Sequence, residues 1–259
     1  MWILETAAVA LGLYSALPVP QFEWNRRNMR YALAAFPLVG VLLAFACWCW
    51  SALCAFLSLP ALLRGAGLCV LPALVTGGIH LDGYCDTVDA LASHASPERM
   101  REILHDPRCG AFAVTRLCVY FIVLFALCCV WVPTRAGLIC LGLGFVLSRA
   151  VSGAALTLLP VAPGSGLARS FADAADKRRV CGILAVTAAL CLMGMALTAG
   201  WKTPAAVCVV TLPVVLRFRK TVFRQFGGVS GDLAGWFLVK LEFWLLTVLV
   251  AMQILEGHG

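Results

Sequence analysis

The chain has 259 residues, of which 62% are hydrophobic and only 13% charged, about half the charged share of an ordinary soluble domain. That balance excludes disorder and most water-soluble folds, because nothing in water would cover its long uncharged runs, and it makes the bilayer the natural solvent. The net charge of +7 on so apolar a background points to anionic headgroups or phosphates and away from a nucleic-acid groove.

Met1-Trp2-Ile3-Leu4-Glu5 carries no base, so the start does not read as a cleaved signal. The apolar stretch from Trp2 to Leu17 is short and ends at Pro18-Val19-Pro20. It reads as a half-span, an interfacial helix or a tilted eighth span. Beyond it, apolar runs long enough to cross a bilayer cover 31–56, 59–79, 111–133, 136–159, 180–200, 203–217 and 234–255, about seven helices. Most of the thirteen cysteines lie inside these runs, without zinc-type spacing, and read as small buried hydrophobes. With no fixed-period repeat and no soluble segment to cut out, 1–259 is expected to be one all-α domain, a polytopic membrane bundle.

The loops sort by charge. Arg26, Arg27 and Arg30, then Arg99, Arg101 and Arg108, then Arg169, Lys177, Arg178 and Arg179, then Arg217, Arg219, Lys220 and Arg224 fall on one side, fourteen in all, against Arg64, Arg135 and Lys202 on the other. Basic residues are retained on the cytoplasmic side. The first set is therefore expected to face the cytoplasm, together with the polar segments near 80–110 and 217–234.

The first of those segments opens Thr76-Gly77-Gly78-Ile79-His80-Leu81-Asp82-Gly83 and continues through Asp86 and Asp89. On a helix, Asp82, Asp86 and Asp89 stand at i, i+4 and i+7, three carboxylates on one face. Like charges so placed repel, and a bound cation is the natural compensation. Oxygen-only ligands favour Mg²⁺ or Mn²⁺ over zinc, and Mg²⁺ held by carboxylates usually shares its shell with substrate phosphate. The plainer alternative is a solvated acidic face beside the membrane.

Ser96 as N-cap, Pro97 at the first helical position and Glu98 in the first turn announce a short surface helix, with Ile103 and Leu104 on the membrane and Pro107 and Gly110 as its stop. At its exit Asp106 has the chemistry to complete a metal shell, and Arg108 to fork onto phosphate. An ordinary solvated ion pair explains the two equally well.

Arg149 lies inside the run 136–159, where a buried cation needs an anion, from the protein or from substrate, unless it snorkels to the headgroups. Farther on, Gly227-Gly228-Val229-Ser230-Gly231-Asp232 separates two spans. Its glycines would let a backbone approach phosphate, and a helix cap by Ser230 or Asp232 explains the stretch equally well. Glu242 sits in the last span with Lys240 as a near neighbour, although i and i+2 do not share a helix face. His80 has three candidate roles, as ligand, base or helix-start hydrogen-bonder, whereas His94, His105 and His258 read as surface residues. No nucleophile elbow, dinucleotide fingerprint or Walker loop is present.

The block Thr76–Gly83 followed by Asp86-Thr87 and Asp89 resembles the signature of the cobalamin synthase family, the adenosylcobinamide-GDP ribazoletransferases. The resemblance extends through Leu17-Pro18-Val19-Pro20, Phe36-Pro37-Leu38-Val39-Gly40, Glu98-Arg99-Met100, Ser148-Arg149, the loop Gly164–Phe171 and Gly227–Asp232. It implies a Mg²⁺-dependent membrane enzyme of the last stage of vitamin B12 assembly. Such an enzyme joins adenosylcobinamide-GDP to α-ribazole or its 5′-phosphate, releases GMP, contacts membrane lipid and is open to homo-oligomerisation. On that resemblance Asp82 and Asp86 hold the metal with Asp106 or Asp232 assisting, and Asp89 or His80 takes the hydroxyl proton. Arg108 and Arg149 then clamp phosphate, and Gly228, Gly231 and Asp232 contact substrate.

Two rival readings share some of these features. A CDP-alcohol phosphotransferase would use the same metal and a nucleotide leaving group, but its Asp-Gly-x-x-Ala-Arg pattern is absent, since Tyr84-Cys85-Asp86-Thr87 follows Asp82-Gly83. A secondary transporter would place its charges at mid-membrane in paired halves, and no second copy of 76–89 exists.

Overall fold

The computed structural model describes residues 2–20, 22–23 and 25–257; His258 lies outside them. The described chain is helical throughout, with one isolated parallel bridge between Val161 and Val229 and no strand. In order the helices are α1 (Trp2–Tyr14), α2 (Arg26–Met29), α3 (Ala32–Ala35), α4 (Pro37–Phe56), α5 (Ala61–Thr76), α6 (Ile79–Ala92) and α7 (Pro97–Leu104). There follow α8 (Ala111–Val130), α9 (Arg135–Leu158), α10 (Gly166–Ala174), α11 (Lys177–Ala199), α12 (Lys202–Thr221), a single π turn (Val222–Phe226) and α13 (Gly231–Glu256).

Among the described residues five segments are long and apolar enough to cross a membrane: Ala32–Phe56, α8, α9, α11 and α13. The pair α5 and α6 makes a sixth if taken as one bent span. The expected count of seven is not reached on this measure, for two local reasons. The run 59–79 ends in Gly77 (φ 64°) and Gly78 (φ 79°), two successive left-handed residues that turn α6 by 92° from α5. The run 203–217 leads into a last turn carrying Arg219 and Lys220 just after Arg217. The N-terminal stretch forms the short helix α1, with Thr6, Val9 and Ala10 buried and the Ala16 N–H donating to the carbonyl of Val75 at 2.8 Å.

Capping follows the sequence pattern. Ser96 accepts the N–H of Arg99 to start α7, Thr134 that of Gly137 to start α9, and Ser230 that of Leu233 to start α13. The core has a main cluster around Leu43, Trp131, Phe145 and Leu249. A second, around Phe218, Phe226, Trp236 and Phe237, receives Met100 and Leu104 of α7. Leu104 therefore turns inward, and is not on a membrane face. The outer faces of α4, α8 and α11 remain apolar, with Phe45, Ile122 and Leu197 all exposed, as lipid contact requires.

Candidate active site

The acidic helix α6 packs against the start of α13, and glycine sets how closely. A Cβ at Gly83 would stand 2.7 Å from the backbone of Asp232, and one at Gly235 would stand 3.2 Å from the carbonyl of His80. This crossing brings Asp232 to the face that carries Asp82 and Asp86. Asp86 lies in the combined negative field of Asp82, Asp232 and Asp89. Asp82 is exposed, and Asp86, Asp89 and Asp232 are half-buried.

Beside the crossing is a cavity of about 240 Å³. Asp82 and His80 line it from α6, and Ser230, Gly231 and Asp232 from the start of α13. On the basic side, His105 and Ser165 contribute from loops and Gly166 and Phe171 from α10. Tyr14 and Phe36 close it from the N-terminal segment. A positive charge on the neighbouring His105 ring would favour the ionised form of the Asp232 carboxylate.

Asp89 does something else. Its Oδ2 accepts the N–H of Gly110 at 2.6 Å and its Oδ1 accepts the N–H of Ala113 at 2.8 Å, so it caps the start of α8 from another helix. Asp106 and Arg108 face each other. Arg108 donates to Asp106 from Nε at 2.9 Å, from Nη2 at 2.8 Å and from its own backbone N–H at 3.0 Å. That guanidinium, and then that N–H, hold the Asp106 carboxyl down at about 2.

Arg149 is wholly buried, and its anion comes from the protein. It pairs with Glu242 and donates to the carbonyl of Phe145 at 3.0 Å. Lys240, the neighbour considered for Glu242, instead sits 4.0 Å from the centroid of the Trp236 ring. Gly228 also serves the fold: a Cβ there would lie 2.4 Å from the nitrogen of Ala162, where Ala162 and Val229 are hydrogen-bonded. Gly231 has open space and lines the cavity.

The structure thus gathers His80, Asp82, Gly231 and Asp232 on one cavity with Asp86 adjacent, while Asp89, Asp106, Arg108, Arg149 and Gly228 are engaged with other parts of the protein. Motif reading had not assigned Tyr14, Phe36, Ser165 or Phe171 to the site. Three of the four lie in stretches that carried the family resemblance, but nothing in their local pattern says which cavity they close.

Among the described residues no three His, Cys, Asp or Glu side chains converge to cage a metal ion by themselves. Magnesium is usually held by one or two carboxylates with substrate phosphate and water completing its shell, and Asp82 and Asp86, one turn apart, supply donors for that open mode.

The chain matches the family model described as cobalamin-5-phosphate synthase over residues 6–250. It is 39% identical to the adenosylcobinamide-GDP ribazoletransferase of Lachnoclostridium phytofermentans, over 99% of this chain and 98% of that one. It is 33% identical to the enzyme of the same name from Pseudomonas putida, over 95% and 97% respectively. It is also 27% identical to that from Clostridium perfringens strain 13, over 91% and 93%. No solved structure matches the chain.

Proposed function

The chain belongs to the cobalamin-5-phosphate synthase family, and from that membership we propose that its acidic cavity carries out the ribazoletransferase reaction with magnesium. The observation that carries the reading is the crossing of α6 and α13, which puts Asp82, Asp86 and Asp232 together beside a cavity.

In this reading a hydroxyl oxygen of α-ribazole, or of its 5′-phosphate, attacks the phosphorus that carries the cobinamide aminopropanol. The new bond is O–P, the broken bond joins that phosphorus to the bridging oxygen of GMP, and GMP leaves with the electron pair. Asp232, which lines the cavity with Asp82, takes the hydroxyl proton. Asp82 and Asp86 would hold the metal. Magnesium, when bound, neutralises charge that develops on the departing phosphate. Asp89 holds the start of α8 in register with α6 and acts through position.

The cavity draws His105, Ser165 and Phe171 from two of the segments on the side rich in arginine and lysine. That supports a site facing the cytoplasm from the inner membrane.

The test is GMP release and corrinoid product formation by the purified protein in lipid, with Mg²⁺, with EDTA, and as Asp82→Asn and Asp86→Asn. The expected result is metal-dependent turnover that falls by about a hundredfold or more in either variant. Metal-independent turnover, or full activity in both variants, overturns the assignment.

A further inference from the structure

The cavity beside the acidic helix holds about 240 Å³, less than the roughly 300–1,000 Å³ of a pocket that buries a drug-sized ligand. A corrin macrocycle stays outside such a space, and what enters is one heterocycle with little more. Two parts of the proposed substrates qualify: the guanine of the departing nucleotide and the aromatic base of ribazole. Guanine presents several donors and acceptors on its edges, and each loses free energy if desolvated without a partner. A benzimidazole-type base has apolar faces and edges and a single free ring nitrogen.

Tyr14, Leu33, Phe36, Leu156 and Phe171 give one part of the wall the apolar, aromatic character of the second description, and the polar remainder, His105 and three serines with Asp82 and Asp232, includes the carboxylates already assigned to the phosphate chemistry. The one buried imidazole of the wall is His80, only 8% exposed. Its ring lies 6.3 Å from that of Tyr14 and 5.8 Å from that of Phe36, centroid to centroid. Its Nε2 is buried and has no hydrogen-bond partner among the described residues. Buried polar atoms are nearly always paired, so an unpaired one on a residue that lines a cavity marks a side chain with hydrogen-bonding capacity left for a ligand.

We propose that the cavity is the base subsite for ribazole, in which the flat heterocycle lies among Tyr14, Phe36 and Phe171 while a ring N–H of His80 donates to its free nitrogen. The inference rests on the ribazoletransferase reading and adds to it the half of the site that chooses the base. It also bears on the geometry of attack, because Asp82 and Asp232 line the same cavity, so a base lodged beside His80 keeps its ribose near both carboxylates.

The test compares α-ribazole with an indole riboside in which the free ring nitrogen is replaced by CH, both offered to the full chain in lipid vesicles. Wild-type protein should show a KM about tenfold lower for the benzimidazole form, the worth of one good hydrogen bond. His80→Phe should lose that preference, with the KM for adenosylcobinamide-GDP unchanged, and His80→Gln should keep part of it. Because each protein serves as its own reference, the ratio is read from whatever fraction is folded. A preference that survives in His80→Phe overturns the proposal, as does equal KM for the two bases in wild type. So does a rise in the KM for adenosylcobinamide-GDP alone, which would put the guanosine in the cavity. Turnover without base preference removes this subsite only, whereas no turnover with any ribazole removes the underlying reading as well.

Discussion

Arg149 and Glu242, 93 residues apart in sequence, form an ion pair inside the helix bundle, with the arginine side chain fully buried. The pair ties α9 to α13, and Arg149 keeps further contact through the carbonyl of Phe145 and the hydroxyl of Ser148. Its Nε and Nη2 have no partners among the described residues, so it has little to fall back on.

Removing Glu242 should therefore be severe. Breaking one side of a buried pair leaves an uncompensated charge at a cost of about 3–5 kcal/mol, whereas replacing both members by apolar residues is often close to neutral. Glu242→Ala is expected to destabilise the protein by that amount in unfolding measurements in mixed micelles. Arg149→Met combined with Glu242→Leu should recover most of the loss. If the single variant unfolds like wild type, the pair does not hold these helices.

Asp89 caps α8 from α6 through two backbone N–H groups. Asp89→Asn keeps one acceptor oxygen and should cost about 1 kcal/mol, while Asp89→Ala leaves both N–H groups unpaired and should cost about 2 kcal/mol. The amides of Gly110 and Ala113 should exchange faster with solvent in both variants, in that order. Unchanged exchange at those two amides would show that the carboxylate is free for another role.

The parts of this arrangement that could be read from sequence are the local ones. The spacing of Asp82, Asp86 and Asp89 and the caps at Ser96 and Ser230 depend on residues within two turns of one another, and the structure has the caps where the pattern puts them. Partners chosen by tertiary packing were not legible. Nothing near Arg149 names Glu242, and nothing near Asp89 says that it will reach Gly110. Hydropathy likewise finds an apolar run over 59–79 but does not see that Gly77 and Gly78 turn the chain through 92° within it. The cavity walls come from seven separate stretches, so Tyr14 and Phe171 reach the site only once α1 and α10 have folded onto the bundle.

The loop after α7 has its own pH signature. The Arg108 guanidinium, and then its N–H, lower the Asp106 carboxyl from 3.8 to about 2. A depressed folded value means that the contact contributes fully above the unfolded value near 3.8 and is lost only as pH falls through about 2. Asp106 should accordingly stay ionised throughout the mildly acidic range. In Arg108→Gln its titration should move up toward the ordinary carboxylate value, which a carboxyl ¹³C chemical-shift titration would follow. A titration that stays in place in that variant would mean that some other group holds Asp106 down.

The tightest point of the site is the contact between Gly83 and Asp232. A methyl group at Gly83 would sit 2.7 Å from both the Cα and the carbonyl oxygen of Asp232, and neither backbone atom can rotate away. At Gly235 the corresponding approach to His80 is 3.2 Å, which a shift of a few tenths of an ångström relieves. Overpacking of this kind costs about 1–3 kcal/mol. Gly83→Ala should lie at the upper end of that range and Gly235→Ala at the lower. Stability is only half of the expectation, because moving α13 off α6 also carries Asp232 away from Asp82 and Asp86. Gly83→Ala should lose far more turnover than its stability loss explains, measured at a temperature where it remains folded, while Gly235→Ala keeps most of its activity. Equal effects from the two variants would mean that the distance between the helices at Gly83 does not set the geometry of the acidic cluster.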